Sequence, residues 1–260
     1  MKMEPSIYNC IDIFKLFYYE AVDKELDKQI NIWDNIMEKR EPIWKYFYEN
    51  IVWEQHRYSE IDFKNRKQKL LHYMIPKILD KENYNLILDN LIDFEKQLQK
   101  CIVKFKQLIP GFIIKGSIFA GITCASFDGK SSEGGELGPN GEIILAFGID
   151  TITLSNEQID IIFSHELFHF YQCNILNLPK YEYSKLSRPL WFEGLATYAT
   201  KKLFPEYDNG KILLDNSLGN LSNADIIFLA NEFLKDIEKP AIDKKAPKYM
   251  ENGLYMVNGK

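Results

Sequence analysis

SNEQIDIIFSHELFHFYQCN, residues 155–174, is the stretch on which the reading of this chain turns. Taken as one helix, it carries His165-Glu166-Leu167-Phe168-His169. Positions i and i+4 of a helix lie one turn apart on the same face, so His165 and His169 project side by side and can share one metal ion. Glu166 stands next to them, placed to hold a metal-bound water. This is the H-E-x-x-H arrangement of two zinc ligands and a general base. Ser155 is the expected N-cap, and Gln158 completes a capping-box pattern. Ile159, Ile162, Phe163 and Phe170 recur at helical spacing as an apolar face. Asn174 or Asn177, then Pro179, is the expected stop. The competing reading makes both histidines ordinary residues of an amphipathic helix. Against it, the chain has only four histidines, and two of them stand in this motif.

A third ligand would separate a catalytic zinc, with three protein ligands and an open position, from a structural zinc with four. Downstream runs SRPLWFEGLATYAT, residues 187–200. Pro189 suits the first turn of a helix, which should extend to about Leu203, before Pro205. Glu193 falls in its first turns. The intervening residues allow a loop and a return, so that a second helix packs on the first and brings Glu193 to the metal. Otherwise Glu193 is a glutamate near a helix N-terminus, favourable to the helix dipole.

The pair H-E-L-F-H (165–169) and W-F-E-G-L-A-T-Y (191–198) resembles the gluzincin metallopeptidases, whose zinc is held by two histidines and a glutamate on the following helix. The likeness is nearest to bacterial proteins described as predicted zinc-dependent proteases, in which the E-G-x-A-x-Y form is typical. It covers about residues 142–200. The resemblance implies that His165, His169 and Glu193 hold one Zn2+ per chain and that Glu166 is the base. It also implies a zincin-like fold and a peptide or protein substrate. Thermolysin-like enzymes place an aspartate four residues after the ligand glutamate to orient the first histidine. Here that position is Thr197, so the orienting group must differ. No histidine follows His169, so the oxyanion donor would be a tyrosine: Tyr249 or Tyr255, with Tyr198 a poorer candidate on the ligand helix. In zincin-type enzymes an edge strand near the metal helix pairs with extended substrate, and residues 142–149 are the favoured choice for that role.

The remaining chain divides by texture. Residues 1–109 read as an N-terminal helical region packing on a catalytic region, 110–260, the alternative being one continuous domain. Within the first region, residues 84–108 form a long amphipathic pattern that includes Leu86, Leu91, Ile92, Phe94, Leu98 and Phe105. His56 and His72 lie there without ligand spacing. Lys64–Lys69 is a basic run, read as a solvated helix face rather than a nucleic-acid contact. After Pro110-Gly111, residues 112–125 and 142–149 are β-branched and aromatic and read as strands. The glycine-rich DGKSSEGGELGPNG between them, residues 128–141, reads as a loop able to reach over a cleft; its Glu133 and Glu136 are expected to be solvated charges, the alternative being ion ligands. A last helix is expected from about Ala224 to Glu238, capped by Ser222 or Asn223. Beside the resembled proteases the chain stops early, within a glycine- and tyrosine-containing tail.

The fold class is therefore α+β: an N-terminal helical region, a small mostly antiparallel sheet and a metal-site helix pair. With 46% hydrophobic and 27% charged residues, the chain is an ordinary globular one. A net charge of −5 disfavours a general nucleic-acid binder. No apolar run approaches a membrane span. The N-terminus lacks a secretory pattern, so a cytoplasmic location is expected, or a secreted one if a signal peptide has been removed. The four cysteines are scattered without a C-x-x-C, and Cys173 is expected to be a buried small hydrophobe. Function is expected to be hydrolysis of peptide bonds by a zinc-activated water. The alternatives are a zinc-containing interaction protein that no longer turns over, and a metal-free helical binding protein.

Overall fold

β-branched and aromatic residues crowd positions 117–121 and 144–148, and both runs form strands buried along their whole length. The computed structural model of the protein describes residues 5–54, 59–131, 138, 140–174, 187–235 and 237. In chain order it contains β1 (Ser6–Asn9), α1 (Ile11–Ala21), α2 (Leu26–Trp33), α3 (Pro42–Tyr46), α4 (Glu60–Leu79) and α5 (Lys81–Leu108). There follow β2 (Ser117–Gly121), β3 (Gly129–Ser131), β4 (Ile144–Gly148), α6 (Ile149–Leu154), α7 (Ile159–Asn174) and α8 (Ser187–Leu203). The short α9 (Asn209–Ile212) and α10 (Asn216–Gly219) precede α11 (Asn223–Leu234). α2 and α3 each run on into a wider π-type turn, Asp34–Glu38 and Phe47–Val52.

The sheet has the order β1-β2-β4-β3. β1 and β2 pair in parallel, as do β2 and β4; only β3 runs antiparallel, against β4. The expectation of a mostly antiparallel sheet is therefore corrected. Ser6–Asn9 is too short to show a strand period, and the long helical excursion from β1 to β2 is the kind of crossover that parallel pairing needs. This strand also ties residues 6–9 to the part of the chain beyond Pro110. The favoured substrate strand, 142–149, is corrected as well. β4 is enclosed between β2 and β3, so an edge near α7 belongs to β3.

Phenylalanines and alanines alternate across the two central strands. Phe119 lies opposite Ala146, and Phe147 opposite Ala120, so each face carries one large ring beside one small residue. On one face Phe47 stacks on Phe119 at 5.1 Å, and Tyr8 does so at 4.9 Å. On the other face Phe94 of α5 and Phe163 of α7 meet Phe147 at 5.7 and 4.5 Å. The sheet is thus a middle layer with helices on both sides. Gly121 makes one of these contacts possible, because a Cβ there would come within 2.6 Å of the Phe47 ring.

α5 buries Tyr84, Ile87, Leu91, Phe94, Leu98, Cys101 and Phe105, at steps of three and four residues. Leu86 and Ile92, counted in the sequence pattern, face outward. Asp80 alone joins α4 to α5, its Oδ1 accepting from the backbone N–H groups of Glu82 and Asn83 at 3.1 Å. In the basic run, Lys64 and Lys69 are exposed, but Lys67 turns inward. It donates to Glu38 at 2.5 Å and Asp34 at 2.9 Å, while the indoles of Trp33 and Trp53 donate to the other Glu38 oxygen.

Two turns lead toward the site. After β2, Cys124 and Ala125 adopt left-handed conformations, φ 51° and 59°. Asp150, wholly buried in the first turn of α6, holds this turn by accepting from the Thr123 N–H at 2.7 Å. Burial pushes the Asp150 carboxyl up to about 6, against the backbone hydrogen bonds from Thr123, Thr151 and Cys124 that favour its charge. The second turn corrects the start of the motif helix. Ser155 does not cap it; its N–H donates to Thr151 and closes α6. Asn156 then turns left-handed, and Gln158 accepts from Ile161 and Ile162 at the start of α7. The hydrophobic Ile149–Leu154 run forms its own turn on the sheet, which moves the helix start downstream. α11 is capped by Ser222, whose Oγ donates to Asp225 while accepting from the Asp225 N–H; it ends at Leu234 rather than Glu238. Among the described residues, no helix is long and apolar enough to cross a membrane.

Candidate metal centre

α7 and α8 pack against each other, and their facing residues are those singled out in the sequence. Phe163 is buried against Phe147 of the sheet and Phe170 against Phe112, which leaves another side of α7 to face α8. His165 and His169 lie one turn apart there, with ring centroids 4.6 Å apart. Their Nε2 atoms are 2.9 Å from each other, and each is 3.1 Å from Oε2 of Glu193. α8 spans 187–203, as Pro189 and Pro205 suggest, and so Glu193 reaches the pair from the second turn. Glu166 is buried beside them, and one atom from each of His165, Glu166 and His169 lies within 4.8 Å of the others.

Burial depresses the His165 pKa, and its contact with Glu193 offsets only part of that. For His169, burial acts the same way, but the Glu193 hydrogen bond and the charges of Glu166 and Glu193 outweigh it and raise its pKa to about 9. Partial burial of Glu193 opposes its charge, yet hydrogen bonds to both imidazoles hold it far below the ordinary carboxylate range. The raised His169 and lowered Glu193 mark a proton held between imidazole and carboxylate, and a cation would bind here by displacing that proton.

Bonds of about 2.0–2.1 Å from two imidazole nitrogens and one carboxylate oxygen to a single ion bring those atoms to roughly 3 Å from one another. The triangle of 2.9, 3.1 and 3.1 Å satisfies this condition. The His165–Glu166–His169 group could hold a metal ion, and Glu193 Oε2 lies 3.1 Å from both histidine Nε2 atoms. Two nitrogens and an oxygen suit several divalent transition metals, zinc among them.

Three further residues build the site, and the sequence pattern alone gives none of them a role there. Gln172 is buried on the same face of α7, with Oε1 3.0 Å from Nδ1 of His169 and Nε2 3.4 Å from the Phe192 carbonyl. The Phe192 ring stacks on His169 at 4.4 Å, 11° from parallel. Gly129 of β3 lies against Glu166. Gln172 could have been found from its i+3 spacing to His169; the Gly129 contact depends on sheet pairing and leaves no local signal.

Other candidates are placed elsewhere. Tyr249 and Tyr255 lie outside the described residues, as do His56, Glu133 and Glu136. Tyr198 is exposed on α8, with the Lys202 ammonium 5.2 Å from its ring. His72 is exposed on α4. Cys173 is half-buried rather than buried. A cleft of about 660 Å³ lies between α5, the start of α7 and the end of α8, away from the ligand atoms. Of its lining residues, Tyr207 donates to Asp160, while Glu157 Oε2 is buried without a hydrogen-bond partner among the described residues. Compared with protein-family models, curated proteins and solved structures, the chain matches none.

Proposed function

We propose that this chain is a zinc-dependent peptidase. The observation that carries the reading is the convergence of His165 Nε2, His169 Nε2 and Glu193 Oε2 within 3.1 Å, with Glu166 in the same turn of α7. His165, His169 and Glu193 would hold one Zn2+. When bound, the ion supplies Lewis acidity that polarises a carbonyl and acidifies a water. Glu166, buried and adjacent, accepts the proton of the attacking water and returns it to the leaving amine. Its place beside the edge strand β3 supports an extended peptide as substrate, aligned by main-chain hydrogen bonds to that edge. The oxyanion donor belongs to Tyr249 or Tyr255 in this reading.

The test has two arms. Zinc content of the purified protein should be about one per chain, and a mixed peptide library should be cleaved. Glu166→Gln should retain the metal while hydrolysis falls by roughly 10²–10⁴-fold. Metal without cleavage of any peptide would favour the non-catalytic zinc protein. Failure to take up zinc would remove the reading altogether.

A further inference from the structure

We infer that Gln172 is the positioning residue that fixes the tautomer of His169 and presents its Nε2 to the metal. The inference rests on the metal-site reading above and concerns a residue outside both motifs. The argument follows the hydrogen bonds inward from α8. The Phe192 carbonyl can only accept, so the Gln172 amide must turn its NH2 group toward it. The reversed amide would set two carbonyl oxygens against each other. With its NH2 group so placed, Gln172 presents Oε1 to Nδ1 of His169, 3.0 Å away. An amide oxygen only accepts, so Nδ1 must carry the hydrogen. With Nδ1 keeping its hydrogen, a metal can displace a proton only from Nε2, and that is the atom 3.1 Å from Glu193 and 2.9 Å from His165.

Two features make the arrangement rigid. Gln172 is 1% exposed, so water does not compete for its amide. Phe192 does double service: its carbonyl orients the Gln172 amide, and its ring stacks on the His169 imidazole at 4.4 Å. Phe192 also immediately precedes Glu193. The residue that orients one ligand is therefore coupled to the helix that supplies another, and a shift of α8 would disturb both together. Metal-bound histidines commonly donate their second N–H to a carboxylate or backbone carbonyl. Here a neutral side-chain amide takes that part.

The experiment titrates wild type, Gln172→Leu and Gln172→Glu with Zn2+ against a chromophoric chelator. It also records the ring-nitrogen NMR signals of His169 in the zinc-loaded proteins. Wild type should show hydrogen on Nδ1 and the metal on Nε2. Gln172→Leu should weaken zinc binding about 10–100-fold and broaden or move the Nδ1–H signal. Gln172→Glu, protonated on the oxygen that faces the Phe192 carbonyl, keeps both a donor to that carbonyl and an acceptor for Nδ1, and should restore affinity to about the wild-type value. Wild-type affinity in Gln172→Leu would overturn the inference. So would a loss that Gln172→Glu fails to rescue, since that pattern marks packing alone. Absence of zinc from wild type is a different result, and it removes the site reading itself.

Discussion

Glu166 and Gly129 touch so closely that a β-carbon on Gly129 would stand 2.4 Å from Cγ of Glu166 and 3.1 Å from its Oε1. The edge strand and the proposed base are therefore fitted to each other, and only a glycine leaves the carboxylate where it is.

Gly129→Ala should displace the Glu166 carboxylate without touching His165, His169 or Glu193. We predict wild-type zinc stoichiometry with kcat lowered at least about tenfold, since a small misplacement of a catalytic group can cost up to about 100-fold. Metal analysis and steady-state kinetics on one preparation check this. Unchanged kcat would show that the Gly129 contact does not set the position of the Glu166 carboxylate.

Asp150 sets a pH dependence of stability. Its folded pKa, about 6, lies above the ordinary 3.8, so the folded state binds the extra proton between those values. Stability from this group is then greatest below about pH 4, falls as pH rises toward 6 and is flat above that. The full change is about 3 kcal/mol. Asp150→Asn keeps an oxygen for Thr123 and should remove that slope. Urea midpoints for both proteins between pH 4.5 and 7.5 test it, and parallel curves would refute it.

Lys67 neutralises a carboxylate that is nearly enclosed, with the Glu38 side chain 8% exposed. Lys67→Met should destabilise the fold by about 3–5 kcal/mol, because Glu38 is left charged and buried. Adding Glu38→Gln should recover much of the loss. Urea unfolding followed by tryptophan fluorescence reads both, since Trp33 and Trp53 bond the same carboxylate. Equal stability of the single mutant and wild type would show that the pair contributes nothing.

Burial, with the nearby charge of Asp160, raises the Cys101 thiol to about 12; burial also drives Cys10 and Cys124 upward. Thiolates are the reactive form. Native alkylation should therefore modify Cys173 well ahead of the other three, and mass spectrometry of the labelled peptides would reveal any other order.

The ligand helices were readable from sequence because their chemistry is local. His165 and His169 depend only on helical period, and Glu193 on a helix bounded by Pro189 and Pro205. Gln172 obeys the same period, but glutamine at i+3 is common and carries no signal until Phe192 is brought to it. What escaped was set by distant partners. The capping pattern at Ser155 was locally sound, yet Ile149–Leu154 gained more by turning against the sheet. β1, four residues long, takes its strand character from β2. The depth of β4 in the sheet followed from β1 and β3, neither of which announced its pairing.

The β1–β2 ladder also bears on how the chain comes off the ribosome. Ser6–Asn9 emerges first, but its partner Ser117–Ala120 is made only after five helices, and β4 later still. Until then the first strand has no template, and Tyr8 lacks the Phe119 ring on which it stacks. The α4–α5 hairpin, with its cap at Asp80 and its contacts close in sequence, can form while synthesis continues; the sheet cannot. Synthesis therefore runs ahead of assembly. The last of the described strands to be made, β4, joins β1's neighbour to the helix that bears the histidines.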